Sequence, residues 1–268
     1  MSHCNNKFIF GTKAETLEQL SSFLSLSSVP CFHYFPIQEW KKNRQKVLGD
    51  IESHFDSRKV IIRSSARGED AAVCAMAGFY ESVPGITIND RQLLSAAIEN
   101  VISSYRKTSQ SLDPQHQVLI QLMIENVSMS GVLFTQDLNT GAPYYVINYD
   151  DETGRTDTVT SGRQNSNRTL LVHRDHINDL RSERFKALLS AVKEIEQVTG
   201  MDSLDVEFAL DQENHVYVFQ VRPITTSIGW DRDVVAKNND AVSRLKNFVR
   251  EVSFPKPGVI GRTWKTYT

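Results

Sequence analysis

Two short stretches near the C-terminal end place four chemically useful side chains at matched spacing: Asp205 and Glu207 in the first, Gln220 and Arg222 in the second. The first, Leu204 to Leu210, alternates with a period of two. Leu204, Val206, Phe208 and Leu210 share one face, and the two carboxylates share the other. In the second, Val216 to Pro223, the same alternation sets Gln220 and Arg222 opposite Tyr217, Phe219 and Val221. The polar run Asp211 to His215 reads as the turn of a hairpin. Folded together, the arms bring two carboxylates, an amide and a guanidinium to one wall. Carboxylate and amide oxygens are hard ligands for Mg²⁺, which is commonly shared with substrate phosphates. Arginine is the planar fork for phosphate oxygens. The competing reading is a surface hairpin whose acid and arginine only pair, and these residues alone favour it.

Two further cations sit where a phosphate grip would need them. Lys13 follows Gly11 and Thr12 at the start of a predicted helix, and Arg63 leaves an apolar strand into Ser64 and Ser65. A cation followed by small hydroxyl residues combines charge with exposed backbone N–H groups. Either residue taken singly is equally well read as a solvated strand or helix end. The P-loop, the dinucleotide-binding glycine pattern and the serine-hydrolase elbow are all absent from the sequence.

The elements that must position these residues can be read in chain order. A strand is expected over Lys7 to Phe10, then a helix carrying Leu17, Leu20, Phe23 and Leu24. Cys31 to Phe35 reads as a strand, followed from Pro36 by one long helix with Ile37, Trp40, Val47, Leu48, Ile51 and Phe55. Lys59 to Arg63 is the next strand, and Ala71 to Gly85 a loop with a short strand. Asp90 is placed to cap a helix whose stripe is Leu93, Leu94, Ala97, Ile98, Val101, Ile102 and Tyr105. Strands follow at Val118 to Ile124, Gly131 to Thr135 and Pro143 to Tyr149, with a hairpin turn at Asp137 to Gly141. After the polar stretch Asp150 to Thr169 come a strand at Leu170 to Val172 and a helix from Ser182 to Gly200. The opening hairpin is next, then a helix around Asp240 to Val252. The pattern predicts an α+β fold in two lobes: an N-terminal lobe over 1–112, a C-terminal lobe over 113–225 carrying the hairpin, and a polar extension over 226–268.

Composition narrows the classes. At 268 residues, 40% apolar and 23% charged, the chain has the make-up of a globular protein with a sizeable core. A formal net charge of −2 argues against a nucleic-acid or anionic-membrane partner. No apolar run reaches the ~20 residues of a membrane span. Cys4, Cys31 and Cys74 are odd in number and widely spaced, which fits reduced thiols and a cytoplasmic setting. His173 and His176 form the one close histidine pair and read as a solvated helix approach.

Four blocks, in order, resemble the nucleotide-binding domain of phosphoenolpyruvate synthases and pyruvate phosphate dikinases. Val60 to Asp70 followed by Met76 to Val83 is similar to that family's VRSSAxxED and FAGxxET block. Val118 to Ile124 with Ser130 to Thr135 is similar to VQxMV and SGVxFT. The hairpin resembles DIEWA and QxRP, and Gly11-Thr12-Lys13 a reduced form of GGKGxNL. The resemblance implies an ATP-grasp-like fold, two lobes with the nucleotide cleft between them, using ATP and Mg²⁺. Carried over by position, it assigns Lys13, Arg63 and Arg222 to the triphosphate and Glu207 and Gln220 to the metal. Gln121, Leu122 and Met123 become the strand along the adenine, giving backbone donor and acceptor, with Met123 against the ring. Gly78 becomes a point where backbone approaches phosphate, and Asp205 a supporting residue.

The family reaction passes the β-phosphoryl of ATP to a histidine on a swivelling domain and then to a small-molecule acceptor, leaving AMP and phosphate. Two departures follow. Thr160-Ser161-Gly162 lacks the histidine of the family's TSGGxTxH motif, and the acceptor barrel is absent. The expected partners are therefore a phosphohistidine domain and an acceptor-binding domain, in the remainder of a longer chain or in trans; the aromatic run at Thr263 to Thr268 fits a module of something longer. The stretch Tyr144 to Gly162 stands where the synthases carry GLGExVVxG and is closer to the glutamine-kinase-like branch. Pyruvate, glutamine and an antibiotic are all acceptors the resemblance allows. The alternative of another class is a nucleotide-binding sensor without catalysis.

Overall fold

The structure is a computed structural model and describes residues 8–56, 58–67, 82–108, 113–154, 168–225 and 232–253. Among the described residues ten strands form two sheets, accompanied by six α-helices. Helix α1 is Lys13–Ser21, followed by β1 (Ser27–Ser28) and β2 (Phe32–Pro36). The long helix expected after Pro36 is two, α2 (Ile37–Lys42) and α3 (Arg44–Phe55). Asn43 breaks it: its backbone leaves the helical region, and its side chain accepts from the Lys46 N–H at 3.1 Å to cap α3. Strands β3 (Lys59–Ser65) and β4 (Ser82–Thr87) precede α4 (Arg91–Thr108), whose Leu93 and Gln92 N–H groups donate to Asp90 as predicted.

Beyond α4 lie β5 (Gln117–Leu122), β6 (Met129–Phe134), β7 (Tyr144–Asp150), β8 (Arg168–His173) and a 3₁₀ turn at Arg174–Asp179. Helix α5 (Glu183–Thr199), the hairpin β9 (Leu204–Leu210) and β10 (Val216–Pro223), and α6 (Arg232–Ser253) complete the described chain. The hairpin turn between β6 and β7 forms where expected, with the Gly141 N–H on the Asp137 carbonyl at 2.8 Å and Gly141 at φ 70°. Three expectations shift. Phe8 to Phe10 enter no sheet, α1 ends before Phe23 so that Phe23 is exposed, and Ser182 begins α5 without a side-chain cap.

The four-stranded sheet has the order β2-β5-β3-β4 and the six-stranded sheet β1-β10-β9-β6-β7-β8. The chain therefore does not divide at residue 112. Strand β5 lies beyond that point yet pairs with both β2 and β3, so it belongs to the N-terminal sheet. In the other direction, the early strand β1 pairs in parallel with β10, at the edge of the C-terminal sheet.

Each sheet buries one face under helices. Val60, Ile62, Val118 and Ile120 of the first pack on Val47, Ile51 and Phe55 of α3 and on Leu94, Ile98 and Val101 of α4. Leu133, Tyr145, Ile147 and Phe208 of the second pack on Phe185, Leu188, Leu189 and Val192 of α5. A third cluster joins the two: Ala14, Leu17 and Leu20 of α1 with Leu119 of β5, Ile195 of α5, and Val206, Val218 and Val221 of the hairpin. At roughly 1.5–3 kcal/mol for each fully buried aliphatic side chain, this cluster fixes α1 between the lobes. Leu93 is the one member of the predicted α4 stripe that faces solvent.

The hairpin holds one surprise. Its register shifts between Val218 and Gln220, leaving Phe219 as a bulge. Cross-strand partners share a face, so Tyr217 (opposite Ala209), Gln220 (opposite Glu207) and Arg222 (opposite Asp205) lie together, while Val218 and Val221 oppose Phe208 and Val206. Strict alternation had set Tyr217 on the far side; the extra residue moves it.

Gly131 of β6 tests how tightly the C-terminal sheet is built. A Cβ there would stand 2.1 Å from the Asn148 carbonyl oxygen and 2.9 Å from the Tyr149 Cα. Gly131→Ala must push backbone, and should lower the unfolding free energy by roughly 1–3 kcal/mol or more in urea titration.

Candidate functional site

The faces that do not carry the helix-packed cores meet at a cleft. Ile61 and Arg63 of β3, Gln121 of β5, the following Met123, Glu207 of β9 and the bulged Phe219 of β10 are among its lining, around a small cavity of about 60 Å³ that is partly open to solvent. Arg63 lies at its centre. Strand β3 runs on through Ser65, so Arg63 projects from within the sheet instead of leaving its end, and only 9% of the residue is exposed. Its Nη2 donates to Glu207 Oε2, and its Nη1 points at the Phe219 carbonyl at 3.3 Å and Gln121 Oε1 at 3.5 Å. The bulge at Phe219 is what turns that carbonyl toward the guanidinium.

Two buried donors here have no acceptor among the described residues: Arg63 Nε and Gln121 Nε2. A buried donor left unpaired costs about 1–3 kcal/mol, so both are poised for an acceptor that enters the cleft. The positive charge converges as well. Burial works to raise the pKa of Glu207, but the Arg63, Lys13 and Arg222 charges outweigh it and hold the carboxyl below its ordinary value. Lys13, at the first position of α1, is buried, and its charge reaches Glu207 from the far end of the sequence. Arg222 is oriented by the buried Asp205, which accepts from its Nε at 2.7 Å. Asp205 thus holds Arg222, the supporting role expected of it.

Lys13, Arg63, Gln121, Glu207, Gln220 and Arg222 are therefore brought together. Gly78 lies outside the described residues, as does Thr160-Ser161-Gly162. The expectation for the adenine strand needs correction. The Leu122 N–H already donates to the Cys31 carbonyl at 2.8 Å and the Met123 N–H to the Lys59 carbonyl at 3.1 Å, so neither is a spare donor. Met123 also accepts at its sulfur from the Gly85 N–H at 3.0 Å. Ile124, the next residue, also lines the cleft.

Glu207 and Gln220 are direct cross-strand partners and present one ionised carboxylate and one amide as hard oxygen donors. That pair fits a Mg²⁺ ion that keeps water and phosphate oxygens in its shell. Among the described residues no three His, Cys, Asp or Glu side chains form a metal site by themselves. His173 and His176 stand with ring centroids 5.5 Å apart on the 3₁₀ turn, each facing an aspartate. Sequence reasoning missed one participant, the Phe219 carbonyl, which carries no side-chain signal.

With the geometry in place, comparison with known proteins bears directly on the site. Residues 37–150 match the pyruvate phosphate dikinase AMP/ATP-binding domain. That stretch is similar to this family over less than half of the chain. The resemblance read from the motifs holds there, and the fold is α+β. The matched stretch contains Arg63 and Gln121 to Met123, whereas Lys13 and the β9–β10 hairpin lie outside it. No curated protein matches the chain. Similar solved structures include the VanG D-Ala:D-Ser ligase from Enterococcus faecalis, at 14% identity and TM-score 0.45 over 80% of this chain and 52% of that one. The D-alanine-D-alanine ligase from Helicobacter pylori matches at 14% and 0.44 over 81% and 52%. The L-amino acid ligase from Bacillus licheniformis matches at 16% and 0.45 over 82% and 44%. The chain spans about half the length of these ligases. Among the described residues no helix is long and apolar enough to cross a membrane.

The Arg63–Glu207 pair has a pH signature. Because the folded-state pKa of Glu207 is depressed, its contribution to stability is present above the ordinary carboxylate range and is lost as pH falls through the lowered value. At pH 7 Glu207→Gln should lower stability by roughly 1–3 kcal/mol. The gap between variant and wild type should close as the pH is taken well below about 4. Thermal melts across pH 3–7 (an approximate window set by carboxylate titration) check this.

Proposed function

We propose that the chain is the ATP-binding module of a phosphotransferase that moves the β-phosphoryl of ATP to a histidine on another domain. From there the phosphoryl passes to a small-molecule acceptor, with AMP and phosphate as the other products. The observation that carries the reading is the convergence of the Arg63, Lys13 and Arg222 charges on Glu207, beside a cleft whose Arg63 and Gln121 donors await an acceptor. A polyphosphate supplies many acceptor oxygens and several negative charges at once. Mg²⁺, held by Glu207 and Gln220, would neutralise phosphate charge. Arg63 exchanges part of its Glu207 and Phe219 contacts for phosphate oxygens, Lys13 holds the outer phosphates beside it, and Arg222 screens charge that builds on the leaving AMP. The wall past Met123 and Ile124 receives the adenine.

The histidine domain and the acceptor site are partners outside residues 1–268, and pyruvate, glutamine or an antibiotic is the class of acceptor. The scattered thiols suit a cytoplasmic setting.

Calorimetric titration should give Mg²⁺-dependent ATP binding. Glu207→Ala should weaken it about tenfold or more, the scale of one lost charged contact, with the fold retained by circular dichroism. A phosphohistidine domain added in trans should yield AMP. Sustained ADP would contradict the β-phosphoryl route, binding without any turnover would make the chain a sensor, and absence of ATP binding would sink both.

A further inference from the structure

A buried knot of hydrogen bonds lies next to the cleft, and none of the roles above uses it. Its centre is Gln117, the first residue of β5, buried and polar at the head of an apolar strand. Gln117 Oε1 accepts from the Thr12 hydroxyl at 2.6 Å and from the Ser65 hydroxyl at 3.3 Å. Gln117 Nε2 donates to Glu15 Oε1 at 2.9 Å. Thr12 and Glu15 are the two halves of the capping box that starts α1: the Glu15 N–H donates to the Thr12 hydroxyl, and the Thr12 N–H to Glu15 Oε2 at 2.9 Å. Ser65, two residues after Arg63, also accepts at its hydroxyl from the Ala14 N–H at 3.0 Å. The Gln117 carbonyl accepts from the Tyr105 hydroxyl at 2.6 Å, and that hydroxyl accepts from the Ser65 N–H at 2.8 Å.

One amide thus joins the first turn of α1, the end of β3 and the start of β5. Lys13 lies between Thr12 and Ala14, both held by the knot, and Arg63 lies two residues before the Ser65 anchor. The apolar α1 cluster sets how α1 packs between the lobes, but apolar packing is non-directional and leaves rotation and sliding of a nine-residue helix weakly specified. Directed hydrogen bonds remove that freedom.

We infer that Gln117 is a positioning residue: through the α1 capping box it sets Lys13 against Arg63 so that both cations address the same phosphate oxygens. The inference rests on the nucleotide reading of the cleft. Gln117 itself is not among the residues that line the cleft.

The test is calorimetric titration of wild type and Gln117→Leu with Mg·ATP and, separately, with AMP. Slippage of Lys13 should weaken Mg·ATP by about tenfold, the scale of one charged contact, and leave AMP within about twofold (under half a kcal/mol), since Lys13 serves the outer phosphates. In a Lys13→Ala background Gln117→Leu should then have no further effect on Mg·ATP. Equal loss for both ligands, no loss for either, or full additivity with Lys13→Ala would each overturn the inference. If wild type binds no Mg·ATP, the nucleotide reading itself has failed, a different result from wild-type binding that Gln117→Leu leaves intact. Should Gln117→Leu not fold, Ser65→Ala removes one arm of the knot. It should give the same ATP-selective loss at smaller size, and an unselective loss there counts against the inference equally.

Discussion

The ion pair between Arg63 and Glu207 is the contact on which the rest of the site depends, because its two halves come from different sheets. Arg63 projects from the middle of β3 in the N-terminal sheet, and Glu207 from the middle of β9 in the C-terminal one. Neither group tolerates burial alone: an uncompensated buried charge is strongly destabilising, whereas a well-bonded pair is close to neutral. The lobes must therefore meet in one register, and that register also brings Arg222 and Lys13 within electrostatic reach of Glu207. Asp205 is committed to Arg222, while the charges of Arg63, Lys13 and Arg222 all act on Glu207.

The bulge at Phe219 shows how backbone irregularity serves that pair. Arg63 Nη1 finds its nearest acceptor in the Phe219 carbonyl, which an unbroken ladder would direct at β9 or β1. The same extra residue realigns the strand so that Gln220 faces Glu207 and Arg222 faces Asp205, while Val218 and Val221 stay in the apolar cluster under α1. A single inserted position thus reconciles two demands on β10, an apolar face before and after the bulge and a polar face beside β9.

The readable parts of the sequence were those set by local period. The β9–β10 hairpin, the α4 stripe with its Asp90 cap and the Asp137–Gly141 turn all announce themselves through side-chain spacing, because each is stabilised by neighbours a few residues away. What spacing cannot encode is which sheet a strand joins. Strand β5 looks continuous with the C-terminal strands that follow it, yet it pairs with β2 and β3, and the two-residue β1 crosses to β10. The break at Asn43 was hidden because apolar residues keep helical spacing on both sides of it, and the spent donors of Leu122 and Met123 were hidden because backbone bonding depends on Cys31 and Lys59, far away in sequence. The grouping of Lys13 with Arg63 and Glu207 had no local signature at all; the family resemblance supplied it, and in the structure the Arg63 and Lys13 charges act on Glu207.

The family match spans residues 37–150, but the cleft is not complete within them. That stretch supplies Arg63, Gln121 and the wall at Met123, which are one side of the cleft. Glu207, Gln220 and Arg222 arrive with β9 and β10, and Lys13 with α1. The apolar contacts follow the same division: α1 packs on the hairpin through Leu17 and Leu20 against Val206, Val218 and Val221, while its first turn is bonded to β3 and β5 through Ser65 and Gln117. One short helix thus carries a cation of the site and touches both sheets that supply the others. A displacement of α1 would therefore disturb its contacts with both sheets at once.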